Sequence, residues 1–208
     1  MKRTFLAAAL AALCVVSAQA QGAVGSFSLK PMVGGTLTDI VGSDAEGTKM
    51  KVGFVGGAEL SYQVAPQIAI SGGALYAMQG CVMDQQYDPK MKLEYLNIPF
   101  LVNYYVAKGL AIKAGVQPGF LMKAETSASS NGISADIDVK DLYYKVDVAI
   151  PVGVSYEVSN FVIDARYCFG LMKIAKTHGT VMGQMIHDER NNVRNSMFML
   201  TVGYNIPL

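Results

Sequence analysis

Hydrophobic and polar positions alternate with a period of two along most of this chain. From 52 to 64, Val52, Phe54, Gly56, Ala58, Leu60, Tyr62 and Val64 fall on one face, and Gly53, Val55, Gly57, Glu59, Ser61 and Gln63 on the other. The run 110–123 sets Leu110, Ile112, Ala114, Val116, Pro118, Phe120 and Met122 against Ala111, Lys113, Gly115, Gln117, Gly119, Leu121 and Lys123. The run 145–157 sets Val146, Val148, Ile150, Val152, Val154 and Tyr156 against Lys145, Asp147, Ala149, Pro151, Gly153, Ser155 and Glu157. A helix would repeat near every 3.6 residues, so alternation of this length predicts strands. Eight are predicted, at about 26–38, 51–64, 68–79, 92–106, 110–123, 143–157, 161–171 and 195–206.

The connections alternate too. Those after the second, fourth and sixth strands are tight turns, whereas 39–50, 80–91, 124–142 and 172–194 read as long loops. An even strand count with short turns at one end and long loops at the other predicts an all-β fold, an eight-stranded antiparallel up-and-down transmembrane β-barrel. Both ends of the barrel sequence then lie at the short-turn, periplasmic rim. Closure leaves no unpaired backbone facing lipid, where each unsatisfied group costs several kcal/mol.

Alternation alone does not say which face points inward, and a soluble lipocalin-like barrel would enclose its apolar face. Two features favour the membrane arrangement. The polar faces carry charges deep within the strands, namely Glu59, Lys113, Asp147, Glu157, Asp164 and Arg166. They also carry many glycines, among them Gly53, Gly57, Gly73, Gly115, Gly119, Gly153 and Gly203, as a narrow lumen requires. In addition, the phrase Tyr-x-(Val/Ile) recurs four times, at Tyr62, Tyr104, Tyr156 and Tyr204, each tyrosine on the apolar face near the short-turn end. An amphipathic ring at one depth is what a membrane interface selects, so these four form the expected periplasmic aromatic girdle. Four prolines oppose the assignment: Pro31, Pro99, Pro118 and Pro151 lie inside predicted strands, and a closed barrel has no edge where a missing N–H is harmless. They are expected at bulges or local breaks in the ladder.

Residues 1–20 read as a signal peptide: Lys2 and Arg3, an apolar run from Phe5 to Val16, and Ala18-Gln19-Ala20 as the cleavage site. Leu13 before Cys14 is too bulky for a lipobox. Residues 21–208 then form one outer-membrane barrel domain. The leader takes two of the seventeen Lys+Arg and none of the sixteen Asp+Glu, leaving fifteen against sixteen. Near-zero charge gives no electrostatic case for nucleic acid.

The segment Leu93-Glu94-Tyr95-Leu96-Asn97-Ile98-Pro99-Phe100-Leu101 resembles the EYLxIPxL strand of the PorT-like outer-membrane β-barrel proteins of Bacteroidetes-type bacteria, and Gly115-Val116-Gln117-Pro118-Gly119 the strand that follows it. Asp164-Ala165-Arg166-Tyr167 with Gly170-Leu171 resembles their DxRYxxGL segment, and Val202-Gly203-Tyr204 their last strand. The resemblance implies an eight-stranded outer-membrane barrel and a place for the strand proline. It implies no single activity, because function does not follow from fold. The chain departs from the usual pattern by ending on Ile206-Pro207-Leu208 rather than an aromatic residue.

Little in the sequence carries chemistry. Opposite charges at similar depth in a narrow tube are expected to pair, with Lys113 level with Asp164, Glu59 level with Arg166, and Glu157 lowest. The reading is a lumen filled by side chains, since eight strands leave just that much room, with an ion path as the alternative. Asp164 and Arg166 have no nucleophile or histidine beside them, so no catalytic residue is assigned. The two histidines, His178 and His187, lie nine residues apart in the last loop, a spacing that does not by itself enforce metal-ligand geometry, so neither a metal nor a cofactor is expected. Cys81 and Cys168 belong to distant strands and are expected as free thiols. Lys173, Lys176, Arg190 and Arg194 share that last loop with three methionines, a combination suited to lipopolysaccharide or a protein partner. The function expected is non-enzymatic: a monomeric barrel embedded in outer-membrane lipid, structural or binding through its outer loops. An accessory role in envelope transport or protein secretion is the alternative.

Overall fold

Eight long antiparallel staves, each joined to the next by hydrogen-bonded register, close on one another in the computed structural model of this chain. It describes residues 23–43, 45, 48–83, 90–130, 133–176, 178–181, 184–187 and 192–208. The strands are β1 (Phe27–Gly42), β2 (Thr48–Ala65), β3 (Ile68–Gln79), β4 (Cys81–Met83), β5 (Lys90–Asn97), β6 (Phe100–Ala107) and β7 (Leu110–Ser130). They continue with β8 (Ile133–Asp138), β9 (Val146–Val158), β10 (Phe161–Gly170), β11 (His178–Val181), β12 (Gln184–His187), β13 (Val193–Tyr204) and β14 (Ile206–Pro207). A 3-10 turn, Lys140–Leu142, precedes β9. Pairing runs from β1 through β2, β3–β4, β5–β6, β7, β9 and β10 to β13–β14, and β1 then pairs β13 from Met32↔Gly203 to Gly42↔Val193. That last ladder closes the ring. Residues 1–22, including the expected signal peptide, lie outside the described residues.

Proline decides where the staves break. β5 and β6 are one stave interrupted at Ile98-Pro99, and register with β7 is unchanged across the gap, from Asn97↔Gly119 to Phe100↔Val116. Pro118 faces that same gap and accepts a hydrogen bond from Ile98 N through its carbonyl. The ladder between β7 and β9 lapses from Ala114↔Val152 to Gln117↔Ala149, opposite Pro151. On its β13–β14 side β1 loses pairing at Lys30 and Pro31, where β13 gives way to β14, while both residues stay paired with β2. All four prolines therefore sit in or opposite gaps in the ladder rather than in bulges, because a missing N–H removes a bond without adding a residue. The true register shifts occur elsewhere, between Gln63 and Ala65, Tyr105 and Ala107, and Glu94 and Tyr95. Gly80, between β3 and β4, has φ +120°, and a Cβ there would lie 2.2 Å from the Met91 carbonyl oxygen, so only glycine fits.

The staves are longer than the pattern predicts. β2 has 18 residues and β7 has 21, whereas about 9–11 tilted residues cross a bilayer. The surplus lies at the long-loop end. Much of what reads as loop in 39–50, 80–91 and 124–142 is strand: β1 runs to Gly42, β2 begins at Thr48, β5 begins at Lys90 and β7 pairs with β8.

The facing of side chains also changes along the stave. In the lower part Val33, Ile70, Val102, Ile112, Val154 and Ile163 are exposed, while Lys30, Thr36, Asn103, Lys113 and Asp164 are buried inside. In the upper part Met91, Leu93 and Tyr95 of β5 point inward and are buried, with Lys92 and Glu94 outside. The register shift at Glu94/Tyr95 turns β7 over: Leu121 and Ala124 are both buried, and Met122 and Lys123 are both exposed. Lys123, which the alternation puts on the lumen face, is thus on the outer surface, paired with Glu125 at 2.8 Å.

Candidate functional site

The lower lumen is filled by five ionisable side chains. Lys30 of β1 and Glu59 of β2 are Cα partners, Lys113 comes from β7, and Asp164 and Arg166 from β10. Arg166 places Nη1 on Glu59 Oε1 at 2.5 Å and Nη2 on Oε2 at 3.0 Å, a bidentate pair. Its Nε and Nη2 donate to Asp164 Oδ1 and Oδ2 at 2.6 and 2.7 Å. Lys113 Nζ donates to Asp164 Oδ2 at 2.6 Å. Lys30 Nζ stands 3.0 Å from Glu59 and 3.6 Å from Asp164. Glu59 and Asp164 are wholly inaccessible, and none of the five exceeds 5% exposure. Every charge has a counter-charge within hydrogen-bonding reach, the condition for tolerating ions in a low-dielectric interior.

Lumen glycines make the room. Arg166 is the Cα partner of Gly153, and a Cβ at Gly153 would lie 2.8 Å from Arg166 Cγ. Glu59 is the partner of Gly73, where a Cβ would lie 2.7 Å from Glu59 Cγ. Gly73 beside Glu59, and Gly153 between Lys113 and Arg166, leave the space that these large charged side chains occupy.

The remaining sequence-selected charges stand apart from the cluster. Asp147 lies above it, buried, accepting hydrogen bonds from Asn195 Nδ2 and Val148 N at 2.8 Å each. Glu157 lies at the short-turn end, half-buried, accepting from Asn205 Nδ2 at 3.1 Å. Two small cavities flank the cluster. The upper one, about 10 Å³, is lined by Gln79, Asn97, Gln117, Asp147 and Asn195. The lower one, about 30 Å³, is lined by Lys30, Asn103, Tyr105, Lys113 and Glu157. Each is of the size that holds a water molecule or two.

A second filling of different chemistry occupies the outer mouth. Ile40, Cys81, Met91, Leu93, Tyr95, Leu121, Ala124 and Val193 line it, and Val139, Tyr143 and Ile174 enter it from the connections. Ile174 is completely buried. Backbone bonds fasten these connections together: Ile174 N to Val193 O, Tyr144 N to Ile174 O and Lys176 N to Leu142 O. The Tyr143 hydroxyl donates to Met91 Sδ at 3.0 Å. Burial pushes the Cys81 thiol up to about 11. Cys81 and Cys168 are both buried and unbridged, in separate clusters.

Tyr62, Tyr104, Tyr156 and Tyr204 all lie on the outer face at the short-turn end, Tyr62 against Phe27 at 4.7 Å between ring centres and Tyr204 against Phe161 at 5.1 Å. Of the basic loop residues, Lys173 and Arg194 are exposed. Lys176 lies back on the mouth, donating to Asp141 O at 3.2 Å and standing 5.8 Å from the centre of the Tyr144 ring. Arg190 lies outside the described residues. The structure adds Lys30, whose signal was in the sequence: it shares the alternating inward face with Thr36 and Thr38. It also adds the apolar mouth, which no period-two pattern announces.

The geometry agrees with known barrels. The chain can be laid over Ail, the attachment invasion locus protein of Yersinia pestis, in its complex with the heparin analogue sucrose octasulfate, covering 88% of this chain and 100% of that one at 15% identity and a TM-score of 0.50. Neisserial surface protein A is matched over 86% and 96% at 14% identity and a TM-score of 0.49. OprG of Pseudomonas aeruginosa is matched over 91% and 99% at 13% identity and a TM-score of 0.49. No curated protein matches. The family model for the outer membrane protein beta-barrel domain matches residues 18–176, most of the chain. Its antiparallel staves, its apolar outer band and this match together make the chain a member of the outer membrane protein β-barrel domain family, resident in the outer membrane.

Proposed function

We propose that this protein is a non-enzymatic outer-membrane barrel with a non-conducting lumen, whose contacts with lipopolysaccharide or with protein are made by the connections at its long-loop end. The observation that carries this reading is the buried cluster of Lys30, Glu59, Lys113, Asp164 and Arg166, which spans the lumen and is fully paired. An ion path needs groups that can exchange partners with a passing ion, and the bidentate Arg166–Glu59 pair is the arrangement least suited to that. Loops on a rigid scaffold are where recognition resides, and here the scaffold extends well beyond lipid. The test is conductance of the purified barrel in a planar bilayer. No steady opening is expected at moderate voltage, and a stable open channel would overturn the reading.

A PorT-like membership and an accessory role in secretion or envelope transport draw support from one feature. The segment resembling the family's EYLxIPxL strand spans the stave break at Ile98-Pro99, and the segment resembling DxRYxxGL supplies Asp164 and Arg166 to the cluster. Copurification from native membranes separates this role from a solitary one: a stoichiometric partner that survives mild detergent extraction favours the accessory role.

A further inference from the structure

The lipid-facing side of the barrel is indented low on β1, β2, β3 and β6. The groove there has a volume of about 470 Å³ and is lined by the outward side chains of Phe27, Leu60, Tyr62, Ile70, Phe100 and Val102. Its floor is Gly72, the Cα partner of Leu60 on one side and of Phe100 on the other. The backbone does not require a glycine at this position. Gly72 has no positive φ, its pairs with Leu60 and Phe100 keep regular register, and a Cβ would come no closer than 3.5 Å to a neighbour, Phe100 Cδ1. By contrast, a Cβ at Gly57, Gly73 or Gly115 on the inward face would lie 2.4 Å or less from a backbone oxygen. A glycine inside a strand weakens it, and where no bulge or bend explains it, it marks the close approach of another group.

We propose that this groove is a fixed binding site for one acyl chain of a phospholipid from the periplasmic leaflet. The groove is part of the apolar band that faces lipid, and an unfilled indentation there would forfeit dispersion contacts along its walls. Its foot lies at the aromatic girdle, where the Phe27 and Tyr62 rings stand 4.7 Å apart. Above Leu60 and Gly72 the ladder continues with the small outward pair Ala58 and Ala74, and then with Gly56, over which the Phe54 ring is folded. From Tyr62 to Gly56 is about 20 Å of strand, which at a tilt of about 40° descends about 15 Å, half of a hydrocarbon core about 30 Å thick. The channel thus matches the chain region of one leaflet and ends under an aromatic lid. Lys108, exposed in the turn below β6, supplies a positive charge at the level of the phosphate.

The test is native mass spectrometry of the barrel purified from outer membranes in mild detergent and supplied with phosphatidylethanolamine. One phospholipid per barrel should survive activation that strips the detergent. Gly72→Leu should lower the retained fraction at least about tenfold, because the leucine fills the space of the acyl chain. The absence of any close neighbour at Gly72 lets that variant fold, which heat-modifiable gel migration checks. Ala165→Leu, on the outward face of β10 away from the groove, should retain lipid as the unaltered barrel does. No retained phospholipid, retention unchanged in Gly72→Leu, or an equal loss in Ala165→Leu overturns the proposal. So does a dimer that Gly72→Leu dissolves, since the occupant of the groove is then a second copy of the chain.

Discussion

The lower and upper halves of this barrel are closed by opposite chemistry, and the solvent outside explains why. Below, lipid surrounds the staves, so apolar groups such as Val102 and Ile112 face outward and the lumen receives Lys30, Glu59, Lys113, Asp164 and Arg166. Above, the same staves rise into water. There Met91, Leu93, Leu121 and Ile174 turn inward, and Lys92, Glu94 and Lys123 take the outside. Apolar surface gains by leaving water, but it gains nothing by leaving lipid for a lumen. One tube is thus a membrane barrel for part of its height and a soluble-type barrel for the rest. The β7 bulge beside Glu94 and Tyr95 lets a stave change over without ending.

The largest effect should come from breaking the ionic half. Arg166→Leu leaves Glu59 and Asp164 buried without their principal partner, and removing one member of a buried ion pair costs about 3–5 kcal/mol. Urea unfolding of the refolded barrel, followed by circular dichroism, should show that loss, and an unchanged midpoint would mean the cluster is not load-sharing as drawn. The matching change in the apolar half is Ile174→Ala, expected to cost about 2–5 kcal/mol locally as a cavity at a fully buried site. It should open the mouth and leave the bilayer current at zero, because the ionic half still closes the tube. Cys81 reports this directly. In the intact barrel it should resist maleimide at pH 8, both from burial and because thiolate forms appreciably only as pH approaches about 11. In Ile174→Ala it should label readily at pH 8. Equal labelling in both proteins would separate Ile174 from the closure. The smallest effect is expected on the outer surface: Lys123→Ala removes a pair between an exposed lysine and the partly covered Glu125 and should change stability by less than about 1 kcal/mol.

How much of this is legible in the sequence depends on the half considered. In the lower half each stave has one lipid-facing side, so a period of two marks strand, face and lumen charge together. Glu59, Asp164 and Arg166 stand out for that reason, and Lys30 carries the same mark. In the upper half alternation reverses its sense, with a bulge at the change on β7. A pattern that shifts phase is read as a loop, which is why 39–50 and 80–91 look irregular while much of them is strand. The apolar mouth draws on β1, β5 and β7 and on the connections at 139–143 and 174, and no periodicity relates these segments.

The sequence by itself therefore determines the barrel, its strand count, its membrane-facing side and the charges of its lower lumen, because lipid imposes one strict periodicity on every stave. Only the tertiary structure decides which charges meet. Depth along a tilted stave depends on register, and register depends on gaps and bulges spread over the whole ring.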